Sequence, residues 1–155
     1  MSAVGPTAPW CTGRVHVNHI GLCVADVDRS IRFYTEVFGF TVDRELRPPD
    51  DVTATLLGLS APVGMRAVYL RLGDVVLELL AYERPGGAAP WRERTMDEPG
   101  LTHLSFGVDD FDAALESAER LGGLVVPSSN IGVAAMVRDP DGQLIEILPG
   151  AWRHP

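Results

Sequence analysis

Val15-His16-Val17-Asn18-His19-Ile20-Gly21-Leu22-Cys23-Val24 alternates apolar side chains with small or polar ones around a histidine. Side chains of a strand change face at every residue, so Ile20, Leu22 and Val24 share one face while Val17, His19, Gly21 and Cys23 share the other. One face seeks a core, and the other holds an imidazole among small neighbours. The arrangement returns at Leu101-Thr102-His103-Leu104-Ser105-Phe106-Gly107-Val108-Asp109. There Leu104, Phe106 and Val108 oppose His103, Ser105 and Gly107.

The segments after these two strands repeat as well. Asp26 or Asp28 is placed to cap a helix by accepting from its first free amides. Ile31, Tyr34, Val37 and Phe38 then recur at helical spacing, and Gly39 supplies the left-handed stop. In the second copy Asp110 or Asp112 is the cap, Phe111, Ala114, Leu115, Ala118 and Leu121 the apolar stripe, and Gly122-Gly123 the stop. Further strands are expected at 40–47, 65–72 and 75–82, and again at 124–127, 133–138 and 143–148. Gly73-Asp74 and Asp139-Pro140-Asp141-Gly142 are the turns before the last strands. Strand, helix, strand, strand, strand is thus written twice, and His19 and His103 stand about half a chain apart, a tandem duplication. The expected organisation is an N-terminal arm at 1–13, a first βαβββ module at 14–84, a linker at 85–99, a second module at 100–150 and a tail at 151–155. Residues 48–64 are an extra excursion in the first module, where Val52, Leu56, Leu57 and Leu59 suggest a short helix over one end of the site.

The 155 residues and 46% hydrophobic content suit one compact soluble domain, or two small modules sharing a core, and the repeated strand and helix order makes the expected class α+β. No terminal run is apolar enough to span a bilayer, and residues 1–13 lack the basic start and apolar centre of a signal peptide, so a cytoplasmic protein is expected. A net charge of -8 repels polyanions, which argues against nucleic acid or anionic membrane as partner. Two cysteines, Cys11 and Cys23, make no disulfide framework and no CxxC pair.

Within this frame two glutamates stand out: Glu78 in Val75-Val76-Leu77-Glu78-Leu79-Leu80 and Glu146 in Leu144-Ile145-Glu146-Ile147-Leu148, each in the last strand of its module. A carboxylate inside an apolar strand costs several kcal/mol unless something pairs with it. Alone, a strand histidine reads as a hydrogen-bonded structural residue and a strand glutamate as a solvent-facing one. The duplication changes that weighting, because equivalent positions carry the same chemistry. His19, Glu78, His103 and Glu146 form a set of two imidazoles and two carboxylates, suited to one divalent ion such as Zn, Ni, Co, Mn or Fe. His16 and His154 have no such counterpart.

The His-Ile-Gly-Leu-Cys-Val-Ala-Asp-Val start, the Ser30-Ile31-Arg32-Phe33-Tyr34 helix, Leu77-Glu78-Leu79, and the 139–142 turn before Leu144-Ile145-Glu146 resemble the vicinal oxygen chelate superfamily. That group includes glyoxalase I, methylmalonyl-CoA epimerase, extradiol dioxygenases, fosfomycin-modifying enzymes and bleomycin-binding resistance proteins. The resemblance covers residues 14 to 150. It implies paired βαβββ modules whose curled mixed sheets enclose a metal-binding cavity, with ligands from the first and last strands of each module: His19, Glu78, His103 and Glu146. Family members pair modules within one chain or across a swapped homodimer.

A fourth ligand where Glu78 stands resembles the glyoxalase I and epimerase branch and implies Lewis-acid chemistry on a small carbonyl or thioester substrate, with an enolate formed by C–H loss. The resemblance makes a metal glutamate the base, Glu146 ahead of Glu78. Arg44, Arg47, Arg66, Arg71, Arg92 and Arg94 are available to a coenzyme A thioester, against the plainer reading of solvated arginines. Tyr69, Tyr82, Trp91 and Met136 are candidates to line the cavity, against a plainer role in the core. Arg138-Asp139-Pro140-Asp141 departs from the His-Pro-Lys-Asp form associated with the epimerases. An extradiol dioxygenase, with Glu78 standing aside, and a non-catalytic drug- or metabolite-binding protein are the alternatives.

Overall fold

The computed structural model describes residues 15–83 and 95–152. The expected arm with Cys11, most of the expected linker with Trp91, Arg92 and Arg94, and His154 lie outside the described residues.

The first half runs β1 (Ile20–Cys23), α1 (Val27–Phe38), β2 (Thr41–Leu46), α2 (Asp50–Leu57), β3 (Met65–Leu72) and β4 (Val75–Tyr82). The second runs β5 (Leu104–Val108), α3 (Phe111–Arg120), β6 (Leu124–Val125), a 3-10 turn at Pro127–Ser129, β7 (Ala135–Arg138) and β8 (Leu144–Pro149). The chain is therefore α+β, with two four-stranded mixed sheets ordered β1-β4-β3-β2 and β5-β8-β7-β6. In each, the first strand pairs parallel with the last while the other ladders are antiparallel. Among the described residues no helix is long and apolar enough to cross a membrane.

Local chemistry explains the helices. Asp26, rather than Asp28, caps α1 by accepting from Arg29 N at 3.0 Å, and Asp110, rather than Asp112, caps α3 through Ala113 N at 3.0 Å. Gly39 closes α1 at φ 76°, a left-handed conformation that favours glycine, and its amide returns to Thr35 O. The buried stripe of α1 is Val27, Ser30, Phe33, Tyr34 and Phe38, and that of α3 is Ala114, Leu115 and Ala118. The small residues of α3 let α1 approach it. Leu22, Val68, Leu70, Leu77 and Leu79 of the first sheet and Leu104, Ala135, Val137, Ile145 and Ile147 of the second join both stripes in one core. Phe38 and Phe106 meet there with ring centroids 4.5 Å apart.

Three local expectations shift. β1 begins at Ile20 rather than near Val15, because its ladder with β4 starts at Ile20↔Leu77. β6 is two residues long, cut off by Pro127, which has no amide to give a ladder. In α2 the apolar Val52 and Leu56 are exposed and Thr53 is the buried residue. Thr53 and Val63 are buried outside the main core cluster.

Candidate metal centre

Because each sheet turns one apolar face onto α1 and α3, strand alternation sets each glutamate on the opposite face. His19 directly precedes β1, and its Nε2 lies 3.0 Å from Glu78 Oε2 on the neighbouring strand. His103 directly precedes β5, and its Nε2 lies 3.7 Å from Glu146 Oε2. The partner that the buried Glu78 needs thus comes from the adjoining strand. In both halves the residue before the histidine engages its other ring nitrogen. Asn18 Oδ1 accepts from His19 Nδ1 at 2.7 Å, and Thr102 Oγ1 shares a 3.0 Å hydrogen bond with His103 Nδ1. That leaves each Nε2 facing a carboxylate, and a hydrogen bond at the far ring nitrogen is the kind of contact that orients a metal-binding imidazole.

The two pairs differ in setting. Glu78 is 8% exposed and accepts from the Tyr69 hydroxyl at Oε1. Glu146 is half-buried and accepts from Ser105 Oγ at Oε2, 2.7 Å away. Burial, then the hydrogen bond and charge of Glu78, push the Tyr69 hydroxyl above the ordinary tyrosine value, while Arg44 pulls the other way. Tyr69 therefore keeps its proton at neutral pH and acts as a donor. Its link to Glu78 is more specific than the cavity-lining role expected from sequence. The signal is nonetheless local: the Gly73-Asp74 hairpin pairs Leu72 with Val75, and three steps back along each strand pair Tyr69 with Glu78.

Among the described residues, no three His, Cys, Asp or Glu side chains come together in a group that could hold a metal ion. One chain therefore assembles the four candidates as two separate pairs and does not bring them to a common point. A cavity of about 490 Å³ opens beside β1, lined by Gly21, Cys23, Met96, Thr102, Asp141 and Gln143 among others. Neither His–Glu pair lines that cavity. Burial, then the charge of Asp141, push the Cys23 thiol up, so it is no ready thiolate.

Of the arginines proposed for a thioester's anionic groups, three are already matched by carboxylates. Arg66 bridges Glu45 and Asp28, Arg47 lies near Glu45 and Glu83, and Arg71 near Asp43. Arg44 instead lays its guanidinium 4.4 Å from the centre of the Tyr69 ring. The 139–142 turn, legible in the sequence only as a turn, docks on α1: Asp141 accepts from Ala25 N, Arg29 and Ser30, and Asp139 from Tyr34.

Comparison with known proteins agrees with this architecture. The chain is 36% identical over 110 residues to a 2-epi-5-epi-valiolone epimerase of an Actinomyces species, covering 67% of this chain and 57% of that protein. It is 27% identical over 147 residues to a lactoylglutathione lyase of Schizosaccharomyces pombe, covering 90% of this chain and 49% of that enzyme. The chain thus spans about half the length of these two relatives. A glyoxalase family protein from Bacillus cereus shares the fold with a TM-score of 0.77 at 18% identity, over 92% of this chain and 98% of that one. Residues 16–147 match the family described as the Glyoxalase/Bleomycin resistance protein/Dioxygenase superfamily, and the chain belongs to it.

Proposed function

We propose that the protein is a divalent-metal-dependent lyase or isomerase acting on a small carbonyl or thioester substrate. In this reading His19 and Glu78 of one subunit and His103 and Glu146 of a second subunit hold the ion. The carrying observation is the pair of His Nε2–Glu contacts, one per half, each with the far ring nitrogen already engaged. Two neutral imidazoles and two carboxylates fit a divalent transition ion and leave no net charge. The relatives named as a lyase and an epimerase support the reaction class.

A homodimer accounts for the separation of the two pairs. Val17 and Leu101 each stand two residues before a histidine, and they are 81% and 61% exposed. Apolar side chains beside both half-sites suit burial by a second copy.

A divalent ion held by His19, Glu78, His103 and Glu146 would supply Lewis acidity towards a carbonyl oxygen of the substrate. The chain supplies the proton transfer. Glu146, half-buried and with Oε1 free of any donor among the described residues, takes the proton and returns it to an adjacent carbon or to the opposite face. Glu78, more buried and with Oε1 bound by the Tyr69 hydroxyl, keeps its place. A dioxygenase would need Glu78 to stand aside, which its approach to His19 opposes. No observation favours pure sequestration.

The test is metal content after purification without added ions, for the natural protein and for Glu78→Ala and His103→Ala. One ion per chain, weakened in both variants, is the expected result. Retention of the ion with unchanged affinity in both variants would overturn the site.

A further inference from the structure

A row of four residues, one from each strand, crosses the first sheet. The registers Gly21↔Glu78, Glu78↔Tyr69 and Tyr69↔Arg44 place one residue from each strand side by side on the histidine-bearing face. The corresponding row in the second sheet is Ser105, Glu146 and Met136. The glutamates match, and their neighbours do not.

We infer that Tyr69 is a positioning residue that holds Glu78 as a one-oxygen ligand directed beside His19, a role that rests on the proposed metal site. The Tyr69 hydroxyl occupies Oε1, so Oε2 alone faces His19 Nε2 at 3.0 Å. On the other flank, Gly21 brings no side chain, and even a Cβ there would come only to 3.9 Å from Oε2. The first half therefore places its hydroxyl donor on the remote oxygen, and Gly21 adds none at the oxygen that faces His19.

The second half inverts this. Ser105, in the place of Gly21, donates to Oε2, the same oxygen that faces His103, and Met136, in the place of Tyr69, offers no donor. Glu146 must release or share that bond to coordinate, and its other oxygen stays free to turn. A duplicated unit has thus become one rigid carboxylate and one adaptable one.

The tyrosine is itself fixed. It is 9% exposed, the His19 ring meets it edge-on at 5.7 Å, and the Arg44 guanidinium covers its face. With ring and face both occupied, the hydroxyl has little freedom to leave Oε1, which is how an outer group orients a ligand. A tyrosine serving only to fill space would need none of this directionality.

The experiment compares cobalt(II) binding by chelator competition, the visible spectrum of the bound cobalt, and urea unfolding of the metal-free form, for the natural protein, Tyr69→Phe and Ser105→Ala. Tyr69→Phe is expected to fold, to bind cobalt about 10- to 100-fold more weakly and to show an altered spectrum. Ser105→Ala is expected to bind at least as tightly as the natural protein. Unchanged affinity and spectrum in Tyr69→Phe would overturn the role of Tyr69 while leaving the metal site intact. Failure of the natural protein to bind cobalt would overturn the metal site and this role with it. Should Tyr69→Phe not fold, the imidazole nitrogen shifts of His19 in Arg44→Ala, which frees the ring, provide the same test: unchanged shifts and affinity refute the clamp.

Discussion

The hydroxyl of Tyr34, on the helix of the first half, donates to Asp139 Oδ2 in the last turn of the second half at 2.9 Å, with both residues buried. Asp139 Oδ1 accepts from the amides of Asp141 and Gln143, so the carboxylate both shapes its own turn and ties it to α1. Asp141 extends the link to Ala25 N, Arg29 and Ser30. This latch joins the halves through a helix and a turn, and each His–Glu pair stands on the sheet face opposite the shared core.

Tyr34→Phe leaves a buried acceptor without its side-chain donor, and we expect a loss of about 1–3 kcal/mol. Burial pushes the Asp139 carboxyl above its ordinary 3.8, while the bonds from Tyr34, Gln143 and Asp141 pull it back. A carboxyl raised in the folded state takes up protons on folding. Its contribution is therefore full below the unfolded value and is lost as pH rises through the folded one. Removing a donor that favours the ionised form raises the folded value further and widens that window. The deficit of the variant should accordingly be larger near pH 7 than near pH 4. Urea unfolding at both pH values measures it, and equal deficits would refute the account.

Gly123 is required by space at the seam between the two helices. A Cβ there would fall 2.7 Å from Arg138 O, 2.8 Å from Phe33 Cε2 and 3.0 Å from Ala118 O. Two of those atoms are backbone carbonyls, and the third is on a ring with no exposed surface, so none yields cheaply. Gly123→Ala should cost about 1–3 kcal/mol, read as a lowered thermal midpoint. A midpoint unchanged within error would mean that the seam has room for a methyl group.

Much of this architecture is legible in the sequence alone. Period-two alternation and capping aspartates locate the strands and helices, and repetition singles out His19, Glu78, His103 and Glu146. Contacts that depend on register or on long-range docking are harder to read. Tyr69 and Glu78 meet because a tight hairpin fixes their pairing, a signal carried by neighbouring residues. Tyr34 and Asp139 meet because two halves pack around one core, which no short-range pattern specifies. The asymmetry between the glutamates lies in Gly21 against Ser105 and Tyr69 against Met136, differences that acquire meaning only once strand neighbours are known.

Mixing two damaged chains distinguishes a shared site from one completed within a single chain. His19→Ala damages the first half and leaves His103 and Glu146 whole; His103→Ala does the reverse. If sites form between subunits, each homodimer of either variant has two sites, both missing one ligand. A heterodimer instead pairs the intact first half of one chain with the intact second half of the other, and collects both lesions in its remaining site. Random reassortment of equal amounts makes half of the dimers mixed, so about a quarter of all sites should recover natural metal affinity. Metal titration before and after mixing, with reversible unfolding to allow exchange, reads that fraction directly. Recovery of no sites, once exchange is demonstrated with differently tagged chains, would place all four ligands within one chain or dissolve the set altogether. The separation of the two pairs in one chain favours recovery.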